Sequence, residues 1–383
     1  MSKHRKLKLF RVTTVSLSLD VLLRGQLKYL NQYYEVTGIA NGRERLTKVR
    51  DAEGIKVILV PMQREISIFY DLICLIQLFI IFLIKRPYIV HANTPKGSLL
   101  SMTAAFFARI PHRIYTITGL RYQTVSGIKR KILVAAERLT CLFATKIIPE
   151  GNGVKQLLER DKITSKELNL ILNGNINGVD VEYFKKTEQL KNNGYSMLPT
   201  DRRFTFLFVG RLVKDKGVEE LIKAFELLKA KHSDVRLVCL GGFENTGNPL
   251  SKDTVEYITR SSDIIAPGFQ EDIRPFMAAA DAFVFPSYRE GFPNVLLQAC
   301  AMELPVIATN ITGSNEIIEV GKNGFLVPVG DVDAIAEKME LLYQNPELCV
   351  SLGKNGRSII ENKFKQEDIW NALLAMYNNL KIN

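Results

Sequence analysis

The sequence predicts an α/β protein built from two parallel-sheet domains. Its 383 residues exceed what one small hydrophobic core requires. Short apolar segments alternate with segments of helical periodicity, which is typical of βαβ units and parallel sheets. A polar stretch between residues 185 and 203 interrupts this alternation once and is typical of a domain linker. With 46% hydrophobic and 24% charged residues, the composition excludes a disordered, collagenous or coiled-coil chain.

Strands are predicted where short apolar runs end at turn-forming residues. In the first half these are residues 7–15, 35–40, 55–60, 88–92, 113–118, 146–148 and 169–172, and in the second half residues 204–209, 236–240, 264–265, 282–285, 305–308 and 324–327. Helices are predicted between them, among others over residues 128–143, 218–230 and 295–302. The predicted domains are residues 1–190 and 191–365, followed by a C-terminal helical segment, residues 366–383.

Residues 66–84 form a long apolar segment that contains Ser67, Asp71 and Gln77 as its polar members. As a helix it would be about 28 Å long, close to the hydrocarbon thickness of a bilayer. Three interpretations stay open: a buried crossover helix, a helix lying in the plane of a membrane surface, and a membrane span. Asp71 and the strand that follows at once disfavour the span.

The charge is unevenly distributed between the two halves. Residues 1–190 carry 30 Lys and Arg against 15 Asp and Glu, whereas residues 191–383 carry 21 against 25. The basic half therefore predicts an anionic partner, which could be nucleic acid, a membrane surface or a phosphorylated substrate. Five scattered cysteines without a C-x-x-C pair and four histidines predict neither disulfides nor a metal centre.

Two segments of the second half carry chemistry suited to a phosphorylated sugar. Gly210 ends an apolar strand, and Arg211 and Lys216 follow it at the sheet edge, where their cations suit a diphosphate. After the strand 282–285, Glu290 and Gly291 precede a predicted helix that Asn294 caps. We expect a sugar at Glu290, because a carboxylate repels phosphate but accepts hydrogen bonds from hydroxyls. The predicted donor-binding residues of this segment are Gly291, Phe292, Pro293, Asn294, Val295 and Gln298, since the helix start offers N–H groups and Gln298 lies one turn on.

These motifs resemble the retaining glycosyltransferases of family four, which have the GT-B fold. The resemblance rests on Gly210-Arg211 with Lys216-Gly217 and on Glu290-Gly-Phe-Pro with a polar residue eight positions later. Supporting matches begin at Asn177, Gly268, Gly313 and Asn323 and cover most of residues 170–330 in the family's order. The segment 86–96 is similar to members that extend lipid-linked oligosaccharides of bacterial surface polysaccharides. The resemblance implies two Rossmann-like domains facing a cleft, the first binding the acceptor and the second the nucleotide sugar, with the C-terminal helix packed back on the first.

The resemblance also implies roles for individual residues. Arg211 and Lys216 would neutralise the leaving diphosphate, Glu290 would bind hydroxyls of the transferred sugar, and the loop around Phe269 would hold the base. Position 298, usually glutamate in the family, would bind the ribose and is Gln298 here.

The first half contributes residues at its own predicted strand ends. His91 is predicted as a further catalytic residue, and the acceptor-side candidates are Arg24, Gly25, Asn93, Lys96, Thr118 and Gly119. Many relatives have a histidine in the loop that here contains Thr118.

No cofactor is predicted beyond the nucleotide diphosphate sugar, a co-substrate that we expect to be UDP-linked. No metal is predicted. The aspartates of the triplet Asp331 to Asp333 stand at a predicted helix start, which indicates capping.

The expected partners are a nucleotide sugar, a polyprenyl-diphosphate-linked saccharide and an anionic membrane surface. Lys129, Arg130, Lys131 and Arg138 share an amphipathic helical segment that is typical of membrane-surface binding. Nucleic acid is disfavoured because these cations lack interleaved aromatic residues. Since no long apolar stretch follows the basic N-terminus, we expect a cytoplasmic protein, peripheral on the inner face of the plasma membrane. Two alternatives stay open: a nucleotide-sugar 2-epimerase, and an inactive partner subunit that binds donor, suggested by Gln298 and Thr118.

Overall fold

The structure is a computed structural model that describes residues 6–65, 67–244 and 248–380. It divides into two compact units, residues 1–177 with 366–383 and residues 178–365. Residue 66, with which the predicted apolar segment begins, and residues 381–383 of the predicted C-terminal segment lie outside the described residues.

The first unit contains a six-stranded parallel sheet in the order β3-β2-β1-β4-β5-β6. Its strands are β1 (Lys8–Val15), β2 (Glu35–Asn41), β3 (Lys56–Leu59), β4 (Ile89–Ala92), β5 (His112–Ile117) and β6 (Lys146–Pro149). Its helices up to residue 160 are α1 (Ser16–Leu22), α2 (Gln26–Leu30), α3 (Arg43–Glu53), α4 (Ile68–Lys85), α5 (Pro95–Phe107), α6 (Gly127–Phe143) and α7 (Asn152–Arg160), with a 3-10 turn at Arg121–Thr124.

The second unit repeats this strand order as β12-β11-β10-β7-β8-β9, again all parallel. Its strands are β7 (Phe204–Val209), β8 (Val235–Leu240), β9 (Ile264–Gly268), β10 (Ala282–Phe285), β11 (Val306–Thr309) and β12 (Gly324–Val327). Its helices are α8 (Glu188–Ser196), α9 (Val218–Lys231), α10 (Lys252–Arg260), α11 (Arg274–Ala279), α12 (Asn294–Ala301), α13 (Ser314–Ile317), α14 (Val332–Gln344) and α15 (Pro346–Lys363), with a 3-10 turn at Lys214–Lys216. Helix α16 (Gln366–Asn378) follows α15 in sequence and belongs to the first unit.

Side chains of β1 point alternately to the two faces of the first unit's sheet, and each face is covered by its own layer of helices. Leu9 belongs to the core beneath α1, α2, α3 and α16, whereas Phe10 and Val12 belong to the core beneath α4, α5 and α6. The second unit has one continuous core around the almost wholly buried strands β7, β8 and β10. Both predicted parallel sheets are therefore confirmed, and each is the doubly wound type with a reversal of strand order at its middle.

Helix α16 is part of the first unit, where it packs against α2. Trp370 Nε1 donates a hydrogen bond to Asn177 Oδ1 (2.7 Å), and Tyr377 is buried in the same core as Leu27. The indole also lies against Gly25, where a methyl group would overlap with it.

The structure differs from the sequence analysis in one predicted strand and in the boundary between the two units. Residues 169–172 were predicted as a strand, which is wrong: Leu168 forms only an isolated bridge to Ile147, and Leu172 takes a left-handed φ of 49° that ends extended backbone. The units separate at 177/178 rather than at 190/191. Helix α8 lies on the second unit's side of this boundary because it packs on α11, with Gly194 against the Pro275 carbonyl.

Helix α4 is a crossover helix, yet most of it is exposed. Cys74, Leu78 and Phe82 form its buried side, whereas the large apolar residues of the other side are solvent-exposed: Ile68, Phe69, Tyr70, Leu72, Ile73, Ile76, Ile80 and Ile84. It is the helix among the described residues that is long and apolar enough to cross a membrane, with 17% of it buried. Core helices of soluble proteins meet the same length and composition test, but they are mostly buried, unlike α4.

Candidate active site

The candidate site of the second unit lies where its strand order reverses, between β7 and β10. The two strands are hydrogen-bonded neighbours, and Phe206 pairs with Ala282. The chain continues from β7 to β8 on one side of the sheet and from β10 to β11 on the other side. Such a switch point opens a crevice at the carboxyl ends of the strands, which is where open α/β sheets bind ligands. Arg211 follows β7, and Glu290 follows β10.

Gly217 brings the loop after β7 against the loop after β10. It ends the 3-10 turn Lys214–Lys216 with a left-handed φ of 69° and precedes α9 directly. A Cβ at this position would overlap with the Pro286 carbonyl oxygen. Glycine is therefore required for both its backbone conformation and its close approach, and this contact places Lys216 beside the second loop.

Lys216 and Glu290 form an ion pair between the two loops, with both side chains mostly buried. The Lys216 ammonium also lies over the Phe285 ring, 5.6 Å from its centroid. Ser287 Oγ donates a hydrogen bond to Glu290 Oε1 (2.7 Å), which fixes the carboxylate. The structure thus brings together two residues that are 74 positions apart in sequence.

Arg211 lies at the same sheet edge but is more open, with 52% of its side chain exposed. Its Nη1 donates to Glu244 Oε2 at 2.7 Å. Glutamate thus pairs with each of the two cations predicted to bind a diphosphate. A ligand with phosphate groups would have to exchange with both carboxylates.

The segment after Glu290 leads into α12. The predicted cap at Asn294 is wrong by one residue: Asn294 is the first helical residue, and Pro293 stands at the N-cap without a side-chain hydrogen bond. Gly313 approaches this turn so closely that a Cβ would overlap with the Gly291 carbonyl oxygen. The Phe292 ring is buried, 5.5 Å from the Phe364 ring, so only its backbone remains for contact with a ligand.

Gln298 and Phe269 occupy different positions around the same sheet edge. Gln298 lies one helical turn into α12, is partly buried and has no side-chain hydrogen bond among the described residues. Phe269 follows β9 directly after Gly268, which has a φ of 81°, and its side chain is 68% exposed. An exposed aromatic ring at the end of a sheet is available for stacking. Val295 is partly buried in the first turn of α12.

His91 is buried at the centre of the first sheet rather than exposed at its edge. It pairs in register with Arg11 on β1 and Ile114 on β5. Its Nδ1 lies 2.5 Å from Tyr377 Oη and its Nε2 lies 2.7 Å from Thr116 Oγ1. Burial, with Arg11 adding to it, holds the pKa of His91 well below its usual value, so the ring is neutral. In this position the imidazole is enclosed by residues of the first unit.

The acceptor-side candidates have varied surroundings within the first unit. Lys96 Nζ pairs with Asp71 Oδ1 (2.7 Å) on α4, and the exposed Arg24 pairs with Asp20 (3.3 Å). Thr118 Oγ1 donates to the Asn93 carbonyl (3.0 Å), which joins the ends of β4 and β5. Gly119, next in the chain, has a φ of 132°.

Three residues at these sites were missed by the sequence analysis. Ser287 and Glu244 hold Glu290 and Arg211, and the sequence analysis assigned neither of them a role. Arg11 is buried within the otherwise apolar run from Leu9 to Val12. A cation inside an apolar strand is an available signal for a buried polar cluster.

The fold and the segment that contains the candidate site both match known proteins. The two doubly wound units define the GT-B fold: over 98% of this chain and 100% of the other, the structure superposes with a TM-score of 0.83 and 20% identity on the Anabaena protein Alr3699/HepE, solved in complex with UDP and glucose. The profile of the family described as glycosyl transferases group 1 matches residues 196–359, which include the whole β7–β10 site.

Two relatives match over nearly their whole lengths. The capsular polysaccharide biosynthesis glycosyltransferase CapM of Staphylococcus aureus is 36% identical over 372 residues, covering 97% of each chain. The UDP-Gal:alpha-D-GlcNAc-diphosphoundecaprenol alpha-1,3-galactosyltransferase of Escherichia coli is 26% identical, covering 100% of this chain and 99% of its own. The chain belongs to the group 1 family of glycosyl transferases, and the resemblance inferred from its motifs is confirmed.

Proposed function

We propose that this protein transfers a hexose or N-acetylhexosamine from a UDP-linked donor to a polyprenyl-diphosphate-linked saccharide during surface or capsular polysaccharide assembly. The observation that carries the proposal is the placement of Arg211, Lys216 and Glu290 at one strand-order reversal. The names of the two relatives support the donor and acceptor classes, since one is named for capsular polysaccharide and the other for UDP-Gal and a diphosphoundecaprenol.

The donor diphosphate binds at Arg211 and Lys216 in this proposal. A guanidinium and an ammonium beside a helix start without a side-chain cap form an electropositive edge. Donor binding replaces Glu244 at Arg211 and Glu290 at Lys216 by phosphate oxygens. Glu290 then becomes available to accept hydrogen bonds from the sugar hydroxyls, while Ser287 keeps its carboxylate in place.

The reaction breaks the bond between the anomeric carbon and the diphosphate oxygen, and the acceptor oxygen bonds to that carbon. Negative charge grows on the departing diphosphate, where Arg211 and Lys216 stabilise it as fixed cations in an oxyanion-hole manner. The acceptor proton passes to a diphosphate oxygen, on the face from which the diphosphate leaves, so the anomeric configuration is retained. We propose no metal in these steps. Asp331 is engaged as the N-cap of α14, its carboxylate accepting from Ala334 N at 2.9 Å.

The first unit binds the acceptor at a membrane surface in this proposal. Helices α4, α5 and α6 cover one face of its sheet, and their outer side carries exposed apolar residues of α4 together with Ile128, Ile132 and Leu142 of α6. Lys131 and Arg138 line an open groove of about 570 Å³ on α6 beside Leu139 and Leu142. Cations above an apolar surface are what an anionic leaflet attracts, so we place the protein on the inner face of the plasma membrane.

His91 is a positioning residue in this proposal, because its buried ring links β4 to α16 and β5. Lys96, Thr118 and Gly119 follow β4 and β5 and form the acceptor side together with Arg24 and Gly25. Asn93, also predicted for the acceptor side, is buried and accepts a hydrogen bond from Arg11, so its side chain does not face an acceptor.

A panel of nucleotide sugars tests the donor site. The wild type and Arg211→Ala are compared for ligand-induced shifts in melting temperature. Lys214→Ala serves as the control, because Lys214 follows the same strand but pairs with Glu219 of α9. We expect a UDP-sugar to shift the wild type and Lys214→Ala, and to shift Arg211→Ala far less. Equal shifts in all three proteins would remove Arg211 from the donor site.

Product analysis separates transfer from the two alternatives. A transferase consumes the donor only with a lipid-linked saccharide present and yields an extended lipid. An epimerase would change the sugar without acceptor, and an inactive partner subunit would bind donor without turnover in either condition.

A further inference from the structure

Arg11 is a buried cation of the first unit whose partners are all neutral. Its side chain lies beneath α16 and is 1% exposed. Nη1 donates to Gln26 Oε1 (2.6 Å) and, at 3.4 Å, to Tyr377 Oη, while Nη2 donates to Asn93 Oδ1 (2.9 Å). The guanidinium thereby joins β1 to α2, α16 and the end of β4.

No carboxylate within the described ranges forms an ion pair with Arg11. The contrast is Arg236, a second strand arginine that is equally buried but pairs with Asp201. Tyr377 does not supply the missing charge, because burial raises its pKa to about 12 despite the neighbouring guanidinium. A buried charge without a counterion is strongly unfavourable in a protein interior.

Two hydrogen-bond donors at Arg11 are also left without an acceptor among the described residues. They are Arg11 Nε and Asn93 Nδ2, both fully buried. Both residues line a cavity whose free volume is roughly 10 Å³, room for about one water molecule. The neutral His91 and Thr116 contribute polar wall, and Ile148 and Leu373 contribute apolar wall.

We propose that this cavity binds a single small anion of the chloride type. The uncompensated guanidinium supplies the attraction, and the two unpartnered N–H donors supply hydrogen bonds. A phosphate or carboxylate is too large for a cavity of this size. A chloride ion, although larger than a water molecule, is the smallest of the abundant physiological anions. Because Arg11 holds Gln26 and Tyr377 together, the anion stabilises the packing of α16 on the first unit.

The test uses the full-length protein in solutions of equal ionic strength, with sodium chloride or bromide replacing sodium gluconate. Equal ionic strength keeps the screening of surface charges the same. We expect the melting temperature to rise saturably with halide, by roughly 2–4 °C once the halide exceeds its Kd about tenfold.

Asn93→Asp is the decisive variant, because it replaces the unpartnered amide nitrogen of Asn93 by a carboxylate oxygen beside Arg11. This variant should melt higher than the wild type in gluconate and show no further halide effect. Asn371→Asp carries the same charge change on the exposed side of α16, where its oxygen already accepts from Tyr29, and should keep the halide effect.

A crystal grown in bromide should show anomalous scattering beside Arg11 and Asn93. Equal melting in halide and gluconate, or an unchanged halide effect in Asn93→Asp, would overturn the proposal and assign the cavity to water.

Discussion

Lys216 and Glu290 are paired across the ends of β7 and β10, so the ammonium proposed for the diphosphate is neutralised by the carboxylate proposed for the sugar. The pairing has a mechanistic consequence. In the absence of donor, the ammonium and the carboxylate compensate each other's charge. Binding of a complete nucleotide sugar satisfies both at once, whereas binding of the nucleotide alone leaves the carboxylate beside phosphate.

Glu290→Gln should therefore separate nucleotide binding from transfer. Removal of the negative charge frees Lys216, and we expect UDP to bind several-fold more tightly. The rate of sugar transfer should fall about 100-fold or more, because a neutral amide is a weaker hydrogen-bond acceptor for hydroxyls that change in the transition state. Calorimetric titration with UDP and single-turnover transfer measure the two effects. A parallel loss of both would mean that Glu290 has a structural role instead.

Gly217→Ala should destabilise the second unit through its contact with the loop after β10. The substitution combines a left-handed backbone, which costs about 1 kcal/mol, with overlap at the Pro286 carbonyl, which costs more. Gly321 has a similar φ of 77° but open space at its Cβ position. Gly321→Ala is thus the matched control, and thermal unfolding should show a clearly larger loss for Gly217→Ala. Similar losses in both variants would show that the close approach is unimportant.

The sequence predicted the parts of this site that depend on local order. A strand followed by Gly210, Arg211 and Lys216 places cations at a sheet edge in any parallel α/β domain, and the structure agrees. It did not predict Glu244 as the partner of Arg211, because their pairing depends on how the loops after β7 and β8 fold together.

The burial of His91 is a clearer example of what the sequence could not predict. Its position near a strand end suggested exposure, but Tyr377, 286 residues later, covers it. The exposure of helix α4 could not be predicted for a different reason. An almost uniformly apolar segment has no polar face, so its periodicity does not indicate which side is buried. Burial had to come from the packing of Cys74, Leu78 and Phe82.

The stability of the first unit should depend on pH through Glu137. This carboxyl group is buried, accepts a hydrogen bond from Tyr115 Oη (2.6 Å), and has its pKa raised by burial from 4.5 to about 7. The folded state therefore keeps the proton to a higher pH than the unfolded state. Its contribution to the free energy of unfolding is largest below pH 4.5, falls as the pH rises toward 7, and is constant above that.

Glu137→Gln removes this ionisation while keeping an oxygen for Tyr115. Relative to the wild type, the variant should gain stability between pH 5 and pH 8, by an amount on the order of 3 kcal/mol at most. Chemical unfolding at the two pH values measures the gain. The same substitution at the exposed Glu159 is the control and should show little change. An equal gain at both pH values would contradict a raised pKa in the folded protein.

Membrane binding should require both the exposed apolar residues of α4 and the basic residues of α6, in the helix layer formed by α4, α5 and α6. Ile76→Glu with Ile80→Glu places charge on the exposed side of α4, where 51% and 47% of these residues are accessible, so folding should be preserved. We expect loss of flotation with vesicles containing anionic lipid. Lys129→Ala with Lys131→Ala should weaken binding about 30-fold, since each cation near an anionic surface contributes roughly 1 kcal/mol.

The control for these variants is Val350→Glu, which changes a comparably exposed apolar residue on α15 of the second unit. It should float like the wild type, because that unit carries a net negative charge and contributes no part of the proposed surface. Salt should reduce wild-type flotation on anionic vesicles and leave the lysine double variant less affected, since fewer charges remain to be screened. Flotation that persists in the α4 variant, or that is equal on neutral and anionic vesicles, would contradict docking by this helix layer.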